Sequence, residues 1–155
     1  METSEVFLTD DGLRQALSQL EFLRTVKRAE VAQYLHEAKE SGDVIDNAAY
    51  EDARTQHHNL EGRIFELEQM VARARLIDRG VQSDVISLGS VVHLCASDER
   101  EYDYTIVGAF EAEPRAGRIS NESPVGKALL GHKIGDVVIV STPGGVKEYT
   151  IRSIQ

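Results

Sequence analysis

The sequence has one cysteine and no tryptophan, and its three prolines all lie in the second half of the chain. Because Cys95 has no second cysteine to pair with, no intrachain disulfide can form, which fits a reducing compartment. No apolar run is long enough to span a bilayer, and the N-terminus lacks a charged-then-apolar leader. The sequence therefore predicts a cytoplasmic protein with no membrane-spanning segment.

Basic residues are also scarce. The 17 Lys and Arg residues are outnumbered by 26 Asp and Glu residues, which gives a net charge of −9. Residues 1–79 contribute −6 and the remainder −3, so both halves are acidic. Since an acidic surface gains little by displacing the counterions of nucleic acid, we expect weak or no binding to free DNA.

Motifs of independent catalysis are missing as well. The chain has no HExxH, no GxSxG, no phosphate loop and no cysteine pair for zinc. Gly144 and Gly145 are explained by a tight turn rather than by phosphate binding. His57 falls on a helical seam, where a hydrogen-bonded core histidine is expected rather than a ligand. The residues offer no site for an enzyme that works alone.

What the sequence does contain changes character at one point. Helix formers dominate up to Arg79 without any proline, and from Gly80 onward prolines, most of the glycines and alternating β-branched residues appear. We therefore predict a helical domain over residues 1–78, a linker over 79–83 and a second domain over 84–155, each with its own core.

The helical domain carries the a/d spacing of a coiled coil in two stretches. One seam comprises Tyr50, Ala53, His57, Leu60, Ile64, Leu67, Val71 and Ala74. The other comprises Leu13, Leu17, Leu20, Val31, Leu35 and Ala38, interrupted by Arg24 and Lys27. Two such helices joined by a short turn fold back antiparallel. A helix of about 30 residues is roughly 45 Å long, so the turn is predicted to stand clear of the body.

The turn at the far end of this hairpin, residues 41–47, contains Asp43 and Asp46. Capping explains them in one way: Gly42 ends the first helix, Asp43 is the N-cap of the second, and Asp46 sits at N3 near the positive helix end. The same spacing also places two carboxylates on one side, as hard oxygen ligands for Mg²⁺ or as groups that orient a water. Two aspartates alone bind Mg²⁺ weakly, so another protein's active site would supply the other ligands.

The second half predicts a small α+β domain, in which one short helix packs on an antiparallel sheet. Strands are expected over residues 90–97 and 101–107, with a weaker one over 117–121. Residues 136–141 and 146–154 are expected to pair across the turn Thr142-Pro143-Gly144-Gly145. Ser123 is placed to cap a helix that starts at Pro124 and ends at Gly131.

The chain resembles the bacterial transcript cleavage factors of the GreA/GreB family, and among them GreA most, over nearly its whole length. The tip Gly42-Asp43-Val44-Ile45-Asp46-Asn47-Ala48-Ala49-Tyr50 matches the family pattern Gly-Asp-Leu-x-Glu-Asn-Ala-Glu-Tyr. The run from Ile119 to Gly131, with Asn121-Glu122-Ser123-Pro124 at its centre, adds a second specific match. Further matches are Glu61-Gly62-Arg63-Ile64, Ala74-Arg75-Leu76-Ile77-Asp78, Gly135-Asp136-Val137-Val138 and Thr142-Pro143-Gly144-Gly145.

The resemblance implies a coiled-coil hairpin that enters the secondary channel of RNA polymerase and an FKBP-like C-terminal domain that docks on the channel rim. It further implies an accessory factor, not an enzyme, that acts on backtracked complexes as a monomer. The tip acids Asp43 and Asp46 would help hold a weakly bound Mg²⁺ jointly with the polymerase, so that the polymerase's own centre cleaves the extruded RNA 3′ end.

Other site residues are also carried over from the resemblance. Lys39 and Arg54 match basic positions that face the RNA phosphates, although solvated helix residues are the commoner explanation of such a pair. Glu122, Ser123 and Pro124 match the loop that meets the polymerase, and a simple helix start equally explains the last two.

Three residues depart from the family pattern at the tip: Asp46 replaces glutamate, Ile45 replaces a polar residue, and Ala49 replaces the glutamate before the tyrosine. Aspartate is shorter than glutamate by one methylene, and a misplacement of about 1 Å can cost on the order of 100-fold in rate. The resemblance also implies an alternative function, because some family members with altered acidic tips inhibit the polymerase by occupying the channel without assisting cleavage. A prolyl isomerase is a third reading, and it has little support because aromatic residues make up only 6% of the chain.

Overall fold

The structure is a computed structural model that describes residues 4–41, 47–78 and 83–155. The chain divides into two compact units. One contains Leu13–Ala74, and the other contains Ser4–Gly12 together with Arg75–Gln155. In the described part of the chain, no helix is long and apolar enough to cross a membrane.

The first unit is a helical hairpin, as predicted. Its first arm consists of α1 (Asp10–Phe22), whose first three residues are assigned to the other unit, a π-helical segment (Leu23–Lys27) and α2 (Arg28–Glu40). Its second arm is α3 (Ala48–Ala72). The arms pack along a narrow apolar seam made by Val31, Ala38, Ala53, Leu60, Ile64 and Leu67, all of which are buried.

The π segment coincides with the polar gap in the first seam and corrects the predicted register before it. Leu17, expected on the seam, is 46% exposed, whereas Ala16 is fully buried. A π turn holds one residue more than an α turn, which rotates the helix before it and brings Ala16 onto the seam in place of Leu17. On the N-terminal side of Val31, the apolar side chains of the seam are accordingly Leu13, Ala16, Leu20 and Leu23, and each is buried or half-buried.

Two further seam predictions for the second arm are wrong. His57 is exposed and is therefore not a core histidine. Ala74 is not helical, because α3 ends at Ala72 with Arg73 as its C-cap. Ala74 instead begins strand β2 (Ala74–Leu76), which pairs with β1 (Val6–Leu8) in a two-stranded sheet that the sequence reading did not anticipate.

The second unit holds a five-stranded sheet, in the order β5-β4-β3-β7-β6. Its strands are β3 (Val91–Ala96), β4 (Glu101–Val107), β5 (Arg118–Ser120), β6 (Val137–Thr142) and β7 (Gly145–Ile154). All neighbours are antiparallel except β4 and β5. This pair is parallel because two 3₁₀ turns, Ala109–Glu111 and Pro114–Ala116, carry the chain back to the end at which β4 began.

Helix α4 (Pro124–Leu129) packs on this sheet and closes the core of the second unit. The predicted α+β class and the predicted strand pairings are confirmed, with the parallel pair as the one departure. The core side chains are Ile86, Val92, Leu94, Ile106, Ile119, Leu129, Val138, Val140, Tyr149 and Ile151.

Candidate functional site

The tip of the hairpin is held by the side chain of Asn47, the N-cap of α3. Its Oδ1 accepts the N–H of Tyr50 at 3.1 Å, and its Nδ2 donates to the carbonyl of Ala38 on α2 at 2.6 Å. One side chain therefore caps the second helix and ties it to the last turn of the first. This contact fixes both ends of the segment that joins the arms.

The predicted acids Asp43 and Asp46 belong to that joining segment, residues 42–46, which lies outside the described residues. The described helix start nevertheless corrects the capping explanation. Because Asn47 is the N-cap and α3 begins at Ala48, the cap position falls to neither aspartate, and Asp46 precedes the cap instead of occupying N3. The acid in the first turn of α3 is Glu51.

The basic pair predicted beside the tip lies on the two arms. Lys39 is exposed in the last turn of α2. Arg54 is on α3 with its side chain 62% exposed; its Nη1 lies 3.8 Å from Glu51, and its Cζ lies 6.0 Å from the centre of the Tyr50 ring. Glu51 therefore offsets part of the Arg54 charge, while Lys39 has no ion-pair partner among the described residues.

Further from the tip, the two arms are joined by ion pairs that the sequence reading missed. Arg28 donates two hydrogen bonds of 2.9 Å to the carboxylate of Glu61, and Arg24 donates to Glu68. The hydrogen bonds from Arg28 hold the pKa of Glu61 below its usual value. The polar gap between the seam leucines was the signal for these pairs, because charged residues that interrupt a seam need partners on the facing helix.

Tyr34 supplies a third polar contact between the arms. Its hydroxyl donates to Asp52 Oδ2 at 3.1 Å, and Gln56 donates to the same oxygen at 2.9 Å. These contacts and the ion pairs keep the arms in register between the tip and the π segment.

In the second unit, the loop after β5 contains the predicted docking residues Glu122, Ser123 and Pro124. Ser123 is the N-cap of α4, since its Oγ accepts the N–H of Gly126 at 3.1 Å, and Pro124 is the first helical residue. Glu122 is exposed, and its N–H donates to Ser120 Oγ at 3.0 Å. The helix-start explanation of Ser123 and Pro124 is therefore correct, and it leaves Glu122 as the residue that the local fold does not require.

Gly126 makes this loop compact. A Cβ at this position would lie 2.0 Å from the carbonyl oxygen of Ser120, so a larger residue would push α4 away from the end of β5. Ser123 adds a hydrogen bond of 2.6 Å from its hydroxyl to the same carbonyl. The exposed Glu122 is thus carried on a closely packed turn.

The described residues contain no complete metal site. Across residues 4–41, 47–78 and 83–155, no group of three or more His, Cys, Asp or Glu side chains could hold a metal ion. Asn47 next to the tip is already engaged through both atoms of its amide. The predicted oxygen donors Asp43 and Asp46 lie outside the described residues, so a Mg²⁺ ion shared with another protein stays a prediction.

Comparison with known proteins covers both units. The family description "Transcription elongation factor, N-terminal" matches residues 6–76, and "Transcription elongation factor, GreA/GreB, C-term" matches residues 81–155. Both descriptions denote the same class of protein, the transcription elongation factors.

Individual relatives agree with this class over their full lengths. The transcription elongation factor GreA of Acetivibrio thermocellus is 46% identical over 153 residues, which is 97% of this chain and 96% of that protein. GreA of Thermomicrobium roseum is 43% identical over 157 residues and all of both chains. The crystal structure of GreA factor homolog 1 of Thermus thermophilus is 36% identical, covers 98% of this chain and 99% of that chain, and has a TM-score of 0.46. The chain belongs to the GreA/GreB family of transcription elongation factors, which confirms the resemblance.

Proposed function

We propose that this protein binds RNA polymerase, inserts its hairpin into the secondary channel and stimulates the polymerase's own cleavage of backtracked RNA. Membership of the elongation factor family is the observation that carries the proposal. In this role the protein is an accessory factor that completes the polymerase active site, and its C-terminal unit docks on the rim of the channel.

The shape of the hairpin supports this role. The 25 residues of α3 span about 37 Å at 1.5 Å per residue, and the first arm is longer. Both arms are thin, since the seam is mainly valine, alanine and leucine, and polar contacts join them along their length. A hairpin of this length and thickness can carry a few side chains deep into a channel.

Asp43 and Asp46 are the residues we assign to the chemistry. As hard oxygen donors they would hold Mg²⁺ together with carboxylates of the polymerase, and the bound ion would activate water and stabilise the charge that develops on the phosphate. Asn47 contributes by anchoring the segment that bears them to α2 and α3. Lys39 and Arg54 would lie beside the RNA phosphates and counter their charge.

The test is a transcript cleavage assay on stalled, backtracked polymerase from the same organism. Wild-type protein is expected to release short 3′ RNA fragments, and Asp43→Asn is expected to abolish the release. Asp84→Asn, at an exposed aspartate of the other unit, is the matched control and should retain full activity. Absence of release at every concentration of wild-type protein would contradict the proposed function.

A channel-binding inhibitor is the second candidate, and the residues around the tip favour it. Ala49 is exposed in the first turn of α3, where the family pattern has glutamate, so one carboxylate beside the tip is missing. Asp46 is shorter than the glutamate it replaces. On this alternative, the wild type slows elongation and releases no fragments, whereas the double substitution Asp46→Glu and Ala49→Glu gains cleavage. If both versions behave alike, the tip departures do not determine the function.

A further inference from the structure

A small cleft in the C-terminal unit lies between the N-terminal strand β1 and the loop that carries Glu122. Its volume is about 150 Å³. Pockets for drug-sized ligands measure roughly 300–1,000 Å³, so this cleft has the size for one side chain rather than for a cofactor. Its walls are formed by Ser4, Glu5, Val6, Phe7, Gly108, Ala109, Asn121 and Glu122.

Closely packed backbone forms the cleft. A Cβ on Gly108 would lie 2.0 Å from the carbonyl oxygen of Phe7, so β1 approaches the end of β4 as closely as only glycine permits. On the opposite wall, the N–H of Asn121 donates to the carbonyl of Val107 at 2.9 Å. Both walls are therefore held at the end of the same strand, β4.

Two carboxylates stand at the cleft, and only one of them has a partner. Glu5 is hydrogen-bonded to Arg75, and this bond lowers the pKa of Glu5. Glu122 has no partner for its carboxylate among the described residues, and neither does the side-chain amide of Asn121. An acceptor pair of this kind, beside the apolar walls of Val6 and Phe7, is complementary to a cation on an apolar stem.

We propose that the cleft receives an arginine side chain of RNA polymerase, so that β1 is part of the docking surface together with the Glu122 loop. The guanidinium would donate to the Glu122 carboxylate and to Asn121 Oδ1, while its methylene stem packs on Val6 and Phe7. This inference rests on the proposed function, because it names the chemistry of the contact by which the C-terminal unit docks.

The experiment measures the dissociation constant of the full-length protein for RNA polymerase by fluorescence anisotropy, over a series of salt concentrations. Glu122→Gln removes the charge, Ala109→Leu narrows the cleft without changing charge, and Val6→Thr makes one wall polar at constant size. Glu148→Gln is the matched control, because Glu148 is also exposed and without a side-chain partner in the described chain. Thermal unfolding checks that each variant is folded.

Glu122→Gln is expected to weaken binding by about 10- to 100-fold and to flatten its salt dependence. Ala109→Leu and Val6→Thr should each weaken binding several-fold, and Glu148→Gln should remain within about twofold of wild type. If Glu122→Gln weakens binding while both cleft variants bind like wild type, the acid acts outside the cleft and the inference is wrong. If the wild type itself does not bind polymerase, the proposed function is wrong, and the inference that rests on it is wrong as well.

Discussion

The two units of this protein are stabilised in different ways. The hairpin has a seam one side chain wide, and exposed polar contacts such as Arg28–Glu61 and Tyr34–Asp52 join its arms. The C-terminal unit has a contiguous core in which side chains from all five strands of the sheet and from α4 surround one another. Since surface ion pairs contribute little and a packed core contributes most of the stability, the C-terminal unit should be the more stable of the two.

The division has a functional counterpart. The residues proposed for chemistry lie in or beside the segment that joins α2 and α3, outside the core of the C-terminal unit. The residues proposed for docking lie on the surface of the unit with the large core. A substitution of Asp43 or Asp46 should therefore change activity and leave stability intact, whereas a substitution in the sheet core should lower stability.

The largest effect on stability is expected from truncating buried side chains to alanine. Leu94 on β3 is fully buried in the sheet core, and Leu94→Ala should lower the free energy of unfolding by about 2–5 kcal/mol, near the upper end because strands on both sides hold the cavity open. Leu67→Ala removes an equally buried leucine from the hairpin seam, where two helices can close over the gap. The loss of unfolding free energy in Leu67→Ala should therefore lie near the lower end of the same range.

Denaturant unfolding, followed by hydrogen exchange in each unit separately, measures both variants. If Leu67→Ala loses as much unfolding free energy as Leu94→Ala or more, the contrast between the two units is wrong, because the seam is then packed as tightly as the core.

The next effect concerns the anchor of the tip. Asn47→Ala removes both the cap of α3 and the bond to Ala38, and should destabilise the end of the hairpin by about 1–2 kcal/mol. Hydrogen exchange should accelerate in residues 38–41 and 47–52, and cleavage should weaken although Asp43 and Asp46 are unchanged. Asn59→Ala, at an exposed position within α3, is the control. Weakened cleavage without faster exchange would assign Asn47 a direct role instead.

The ion pairs between the arms should give a smaller, pH-dependent effect. Hydrogen bonds from Arg28 lower the pKa of Glu61 from 4.5, so their stabilisation is present above that pH and is lost as the pH falls through the lowered value. Circular dichroism of wild type and Glu61→Gln should therefore show a difference in melting temperature at neutral pH that shrinks in acid and in high salt. Glu66 forms an exposed ion pair with Arg63 within α3, and Glu66→Gln should change the melting temperature less. A difference independent of pH would mean that packing, not charge, is responsible.

The smallest effect is expected in the sheet, at His93 on β3. Its Nδ1 lies 2.5 Å from Asp103 Oδ1, and this hydrogen bond raises the pKa of His93 above 6.5, with Glu101 adding to the shift. The stabilisation is complete below 6.5 and is lost as the pH rises through the raised value. In an NMR titration, Asp103→Asn should bring the His93 transition back toward 6.5. An unchanged titration would indicate that the pair does not persist in solution.

Much of the fold could be predicted from the sequence because the decisive patterns are local. The three- and four-residue spacing of the α3 seam predicted a long helix, and Ser123-Pro124 predicted the start of α4. The alternation of Tyr102 and Tyr104 with Asp103 predicted a strand with one buried face. In each case the residues that carry the signal are near neighbours in the chain.

The predictions were wrong where the local structure depends on residues that are distant in the chain. Leu17 and Ala16 exchange their places on the seam because of a π turn several residues later, and nothing in their own neighbourhood signals it. Strand β1 forms because β2 returns beside it from the far end of the hairpin. Asn47 is the N-cap in place of Asp43 because its amide also reaches the carbonyl of Ala38 on the other arm.

The sequence by itself determined the family, the two kinds of architecture and the acidic segment at which chemistry is proposed, because these depend on residue types and short spacings. Only the tertiary structure decided that a single asparagine anchors that segment, and that β1 and the Glu122 loop form one cleft. Both features join residues that are separated along the chain and adjacent in space, and such contacts depend on how the elements pack.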